Sequence, residues 1–226
     1  MVMILNELNN RFKAVLANAF RRRHILSVSL LVSLLICQPS MAEVVSAIDA
    51  VKHNTQRLTT KLLEIKPMYE ADKEGFYNEV DATLSPLIDF DGFSRGVMAK
   101  YYRLASENQR QSFSRKFKDG LIRTYAEAMV EFDNQKIEVL SETPGKKPGR
   151  STVKLAFYGN NGTIYPIEYS MVQVEDQWLL RNVVINGINV GLQFKSQFVA
   201  YMEKYHDNID EVIANWDTKI VAESQG

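Results

Sequence analysis

The chain has 226 residues, 46% of them apolar, with 27 basic and 27 acidic side chains. That length and composition fit one globular domain with a single sizeable core. With one cysteine in the whole chain, an internal disulfide is excluded.

The N-terminus is predicted to be a secretory signal rather than part of the core. Arg11, Lys13, Arg21, Arg22 and Arg23 precede an apolar run from Ile25 to Ile36, and Ser40, Met41 and Ala42 supply the small residues a signal peptidase needs. The run is about a dozen residues, against the ~20 a bilayer span requires. Lipoprotein processing at Cys37 is disfavoured because Ile36, a bulky residue, precedes it. Residues 1–42 are therefore expected to be a signal peptide and 43–222 a single domain. Without residues 1–42 the chain keeps 22 basic and 26 acidic side chains, a net charge of −4, and loses its cysteine. A mildly acidic, exported protein argues against nucleic acid as a partner.

Beyond the leader, Val44, Ile48, Val51, Thr55, Leu58 and Leu62 recur at helical spacing, and Lys66-Pro67 ends that helix. A second helix is predicted from Asp72 to Leu84 with Phe76, Val80 and Leu84 on one side. Asp91 is expected to cap a third carrying Phe93, Val97, Met98, Tyr101 and Leu104. Ser106 with Gln109 three positions on reads as a capping box for a long fourth helix, about 107–132. Phe113, Phe117, Leu121, Tyr125 and Met129 recur there every four residues, so the stripe drifts about 40° per step around the axis. Such a stripe suits either a core helix lying over a twisted sheet or the wall of a cavity.

After Asn134 the period falls from 3.6 to 2. Lys136 to Leu140 alternates as the first strand, with Ile137 and Val139 on one face, and Thr143 to Arg150 reads as a polar hairpin loop. Val153, Leu155 and Phe157 line one face of the second strand. Asn160-Asn161-Gly162 turns the chain, and Tyr165, Ile167, Tyr169 and Met171 line the third. A fourth runs from Trp178 to Asn186, completing an antiparallel meander. Two closing helices carry Phe194, Phe198, Tyr201 and Tyr205, then Ile209, Val212, Ile213, Trp216 and Ile220. The predicted class is α+β, with helices on one face of a curved four-stranded antiparallel sheet.

Catalytic chemistry is poorly represented. His53 and His206 lie far apart, and neither has a second histidine at a ligand spacing of three to five. Asp89 and Asp91 are close in sequence, but Asp91 is explained as a helix cap. The nucleotide and nucleophile-elbow signatures are absent. Nine phenylalanines and ten tyrosines remain once Phe12 and Phe20 leave with the leader. That aromatic content serves a dense core or a hydrophobic pocket.

The stretch from Asp89 to Arg103, reading DFDGFSRGVMAKYYR, resembles the MlaC family, the toluene-tolerance proteins. So do Ser106 to Phe117, Leu121 to Tyr125, and the run from Trp178 through Asn186-Gly187-Ile188-Asn189-Val190 to Phe198. The family often has an acidic residue where Asn182 and Asn186 stand, and Tyr-Arg-Ser where Phe194-Lys195-Ser196 occurs. The resemblance implies an NTF2-like/cystatin-like fold and a periplasmic carrier with phospholipid as its cargo and no cofactor. It also implies transfer of lipid between an outer-membrane lipoprotein complex and an inner-membrane ABC transporter bearing a lipid-binding ring, maintaining outer-membrane lipid asymmetry.

On that reading the acyl chains are expected between the sheet and the long helix. They would touch Val97, Met98, Phe117, Leu121, Tyr125, Met129, Val153, Leu155, Phe157, Tyr169 and Met171, residues whose amphipathic segments must converge. Two other functions compete. A small-molecule enzyme on a similar scaffold would need an ionisable group inside the cavity, and Lys154 and Glu168 are predicted to point the other way. A peptide-binding adaptor would need an apolar groove.

Overall fold

The computed structural model describes residues 45–218. The leader, its cleavage point after Ala42, Val44 and Ile220 lie outside those residues.

Helix α1 (Ala47–Ile65) starts at Ser46, whose hydroxyl accepts from the Asp49 amide. Its first turn is also tied to the sheet. The Ile48 amide donates to the Glu142 carboxylate at 2.9 Å, and the Trp178 indole donates to the Val45 carbonyl at 2.8 Å. The helix stops at Lys66-Pro67, as predicted. A single turn, α2 (Met68–Ala71), leads into α3 (Lys73–Leu84), capped by Asp72 and burying Phe76, Tyr77 and Val80.

Helix α4 (Phe90–Met98) is capped by Asp89, not by the predicted Asp91. The Asp89 carboxylate accepts from the Gly92 amide at 2.9 Å, while Asp91 sits inside the first turn and accepts from the Ser114 hydroxyl at 2.7 Å. The predicted continuation to Leu104 also fails. Ala99 takes φ +49°, the helix breaks, and a 3-10 turn (Ala99–Arg103) follows, keeping Tyr101 buried but leaving Leu104 74% exposed. Helix α5 (Glu107–Val130) has the expected capping box, with Ser106 and Gln109 satisfying each other's amides.

Five antiparallel strands follow in spatial order β1-β2-β3-β4-β5: β1 (Ile137–Pro144), β2 (Arg150–Tyr158), β3 (Ile164–Val174), β4 (Gln177–Ile185) and β5 (Ile188–Asn189). Strand β1 outruns its prediction because a bulge skips Leu140. The inner face resumes at Glu142, so the alternation that seemed to end is only offset. The hairpin loop is correspondingly shorter, closed by the Gly145 amide on the Arg150 carbonyl at 2.8 Å. A second bulge leaves Arg181 out of the β3–β4 register. The fifth strand, two residues long, extends the predicted four-stranded meander by pairing Ile188 with Ile185. Helices α6 (Val190–Lys204) and α7 (Ile209–Ala214) close the fold, capped by Asn189 and Asn208. The last helix ends earlier than predicted, and Trp216 packs from the segment after it.

The buried apolar residues form two cores. One lies on the inner sheet face, where Ala47 and Val51 of α1 meet Val153, Leu155 and Met171. The other is made by the helices, around edge-to-face rings such as Phe113–Phe198 at 4.9 Å, Phe113–Trp216 at 5.0 Å and Phe117–Phe194 at 5.2 Å. Each such pair adds about 0.5–1.5 kcal/mol beyond its buried area. The outer sheet face is polar, with Lys154 and Glu168 paired across β2 and β3 at 3.4 Å. Among the described residues, no helix is long and apolar enough to cross a membrane.

Candidate functional site

The two cores meet along a seam on the inner sheet face. Tyr169 of β3 and Val183 of β4 are direct cross-strand partners, yet Tyr169 packs on the sheet core and Val183 on the helical core. Helix α1 crosses the same line. Val51 belongs to the sheet core, Leu62 to the helical core, and Asn54, Thr55 and Leu58 between them are half-buried.

Helix α5 borders this seam. It packs chiefly on α3, α4 and α7, and no strand is among its main partners. Its drifting stripe then splits by burial. Phe113 and Phe117 are fully buried among rings, whereas Tyr125 and Met129, toward the C-terminus, are half-buried. Inner-face residues of β3 and β4, the middle of the sheet, are half-buried too: Ile167, Tyr169, Leu180 and Val183.

The eleven residues expected to line a cavity therefore fall into three groups. Val97, Met98 and Phe117 lie closed inside the helical core, and Val153, Leu155 and Met171 inside the sheet core. Leu121 is 9% exposed at the edge of the helical core. Tyr125, Met129, Phe157 and Tyr169 are half-buried, Phe157 in tilted contact with Tyr165 at 6.1 Å. Leu58 and Val183 were not expected there. Val183 escaped because the Arg181 bulge shifts the alternation of β4 by one, from Trp178 and Leu180 to Val183 and Ile185.

Electrostatically the seam is apolar with two polar tips. Burial alone pushes the phenols of Tyr125 and Tyr169 up; no charged or hydrogen-bonding partner contributes at either. Among the described residues neither hydroxyl has a hydrogen-bond partner, so burial of the ring is what sets each phenol apart.

No arrangement for catalysis gathers at the seam. His53 is exposed on the outer side of α1, in a polar groove with Arg57, Lys61, Glu64 and Glu79. His206 follows the end of α6 at φ +51°. Asp89 is bound to Arg181. Among the described residues no group of three His, Cys, Asp or Glu could hold a metal ion.

The sequence profile of the MlaC protein family matches residues 52–218. The chain belongs to the MlaC family. The match includes the helical core, the sheet and the seam, and it bears out the resemblance carried by Asp89 to Arg103 and Trp178 to Phe198. The chain is also similar to the toluene tolerance protein ttg2D of Pseudomonas putida. It is 34% identical over 180 residues, 78% of this chain and 82% of the relative. The MlaC fold is also shared with the solved structure of a phospholipid-binding protein from Ralstonia solanacearum in complex with a phospholipid. That match has a TM-score of 0.68 at 20% identity, covering 75% of this chain and 94% of the other.

Proposed function

We propose that this protein is a periplasmic phospholipid carrier, not an enzyme, and that the seam is where the acyl chains lie. The observation that carries the reading is that apolar side chains along the line between two closed cores stay half-buried, while α5 has helices rather than strands as its main partners. Tyr125, Met129, Phe157, Tyr169, Val183 and Leu58 form the wall, with Leu121 at its edge. Val97, Met98 and Phe117 back the wall on the helix side, and Val153, Leu155 and Met171 on the sheet side. The phospholipid in the Ralstonia protein, which shares the fold, supports the same cargo here.

A two-chain lipid exposes about 30 methylenes, and at ~0.8 kcal/mol each its transfer into water costs roughly 20–25 kcal/mol. Unassisted crossing of an aqueous compartment is negligible at that cost. A carrier needs walls that match the bilayer interior without exceeding it, because a much tighter site would not release. An apolar seam with few polar anchors has that property, and it leaves the head group in water.

In this reading residues 1–42 direct export, the mature chain begins at Glu43, and the carrier moves lipid between an outer-membrane lipoprotein complex and an inner-membrane ABC transporter with a lipid-binding ring. That traffic maintains outer-membrane lipid asymmetry. Native mass spectrometry with lipid extraction of the protein purified from the periplasm tests it. Co-purifying phospholipid on a chain starting at Glu43 is expected. Protein that carries no lipid and takes none from vesicles would overturn the carrier reading.

A further inference from the structure

The corner between α4 and α5 is built differently from the rest of the surface. Ala99 has φ +49° and ψ −121°, backbone that residues other than glycine rarely adopt. There the chain leaves α4, winds through Arg103 as a 3-10 turn and enters α5 after Ser106. Tyr101 holds the underside, buried against Phe198 with ring centroids 6.0 Å apart. Leu104 stands at the tip, at 74% the most exposed large apolar side chain among the described residues.

Cations surround that tip. Residues 91–110 hold Arg95, Lys100, Arg103 and Arg110 against two carboxylates, Asp91 and Glu107, in a mature chain whose net charge is −4. Both carboxylates hydrogen-bond to neutral groups, Asp91 with the Ser114 hydroxyl and Glu107 with the Gln111 amide, beside Arg95 and Arg110, so the corner keeps an excess of positive charge. None of the four cations is in an ion pair among the described residues. Three of them lie over rings instead: the guanidinium groups of Arg95 and Arg110 over Tyr102 at 5.2 and 4.5 Å, and the Lys100 ammonium over Tyr101 at 4.9 Å, while Arg110 also donates to the Tyr102 carbonyl. Guanidinium forks fixed by stacking lose little freedom when they meet a phosphate.

We propose that this corner is a contact for an anionic phospholipid surface, with Leu104 entering the headgroup–acyl boundary and Arg95, Lys100, Arg103 and Arg110 on the phosphates. An exposed leucine set among unpaired cations matches both properties of such a surface, its apolar interior and its negative charge. An acidic protein face would reward the cations but give Leu104 no such interior. Each cation near the surface is worth about fivefold in affinity, and the one leucine at least about tenfold, so contact is weak and reversible. The inference holds whatever the seam carries, so its test can fail while the carrier reading stands.

Flotation of the full mature protein with vesicles decides it. Phosphatidylcholine vesicles should bind little, and vesicles half phosphatidylglycerol should bind the protein in a manner lost as salt shortens the screening length from about 10 Å toward 3 Å. Lys100→Gln with Arg103→Gln should weaken binding about 30-fold, and Leu104→Gln at least about tenfold. Leu140→Gln, at a leucine 53% exposed on β1, should change nothing. All these positions are exposed, and thermal unfolding verifies that each variant is folded. Equal binding to neutral and anionic vesicles, undiminished binding by the corner variants, or no vesicle binding by the folded parent, as an acidic protein partner would give, overturns the proposal.

Discussion

Asp89 and Arg181 join helix α4 to strand β4 through one carboxylate. Asp89 accepts from the Gly92 amide at 2.9 Å and from Arg181 Nε at 2.6 Å, while its own amide donates to the Leu180 carbonyl at 2.8 Å. Arg181 reaches it because the β4 bulge takes that side chain out of the strand's alternation. Gly92 has to lack a side chain: a Cβ there would lie 2.2 Å from the Asp89 carboxylate and 2.4 Å from Arg181 Nε. Asp89→Ala removes a helix cap and leaves a largely buried guanidinium unpaired, so a loss of about 2–4 kcal/mol is expected. Gly92→Ala should also destabilise, by forcing the pair apart. Urea unfolding measures both. Because the role is structural, whatever Asp89→Ala retains in the folded state should load lipid normally.

The division between seam and cores separates substitutions on one sheet face. Val183→Trp and Met129→Trp place a ring in the seam, and they should lower lipid content at little cost in stability. Val153→Trp and Leu155→Trp push a ring into the closed sheet core, where overpacking typically costs 1–3 kcal/mol. Leu121→Trp, at the edge of the helical core, should fall between. Lipid content and thermal midpoint measured on the same preparations separate the two behaviours. If Val183→Trp is as destabilising as Val153→Trp and keeps its lipid, the chains lie elsewhere.

Tyr125 and Tyr169 provide a pH-dependent report on the seam. Burial raises both phenols above the ordinary value of 10.0. A raised folded value means that the stability linked to these groups is intact below the unfolded value and is lost as pH climbs through the folded one. Tyr125→Phe and Tyr169→Phe should therefore shallow the alkaline decline in stability, and each should remove one late phenolate step from the absorbance titration, alongside the raised phenols of Tyr77 and Tyr158. Lipid in the seam excludes more water, so loaded protein should titrate higher than stripped protein. Coincident curves for the two forms would place the cargo away from these rings.

Glu142 links the start of α1 to the sheet. Its carboxylate takes the Ile48 amide at 2.9 Å and the hydroxyl of the buried Ser151 at 2.7 Å. Hydrogen bonds to a charged group contribute about 1.5–3 kcal/mol, so Glu142→Ala should cost an amount of that order and speed hydrogen exchange at Ile48. Glu142→Gln, which keeps an acceptor, should recover much of the loss. Unchanged exchange at Ile48 in the alanine variant would show that Ser46 holds the turn alone.

Elements whose signals are local were legible from the residues. Ser106 with Gln109, Lys66-Pro67 and the turn at Asn160 to Gly162 act within a few positions and came out as read. The misreadings arose where a distant partner decides. Asp89 and Asp91 are equally good caps by type, and the choice between them depends on Arg181 and Ser114, 92 and 23 positions away. The bulge at Leu140 offset an alternation that then looked finished. For the site, the apolar stripes were visible, but not which would meet. The sequence of α5 does not say that Phe113 and Phe117 end fully buried among rings while Tyr125 and Met129 stay half-buried, because that depends on where α3, α4 and α7 seat it.

The sheet also has two ends at which hydrogen bonding could continue into another molecule, and both are blunted. On β1 the bulge at Leu140 interrupts the outer row of amides, Pro144 removes one more donor, and Lys136 and Glu138 place charges beside it. On the far side, β5 covers one end of β4, while the Asp89 amide and the Ile88 bridge occupy the other at Leu180. Interrupted, charged and covered edges disfavour strand addition by a second copy. Edge-to-edge polymerisation through the described strands is therefore disfavoured even where the chain is crowded.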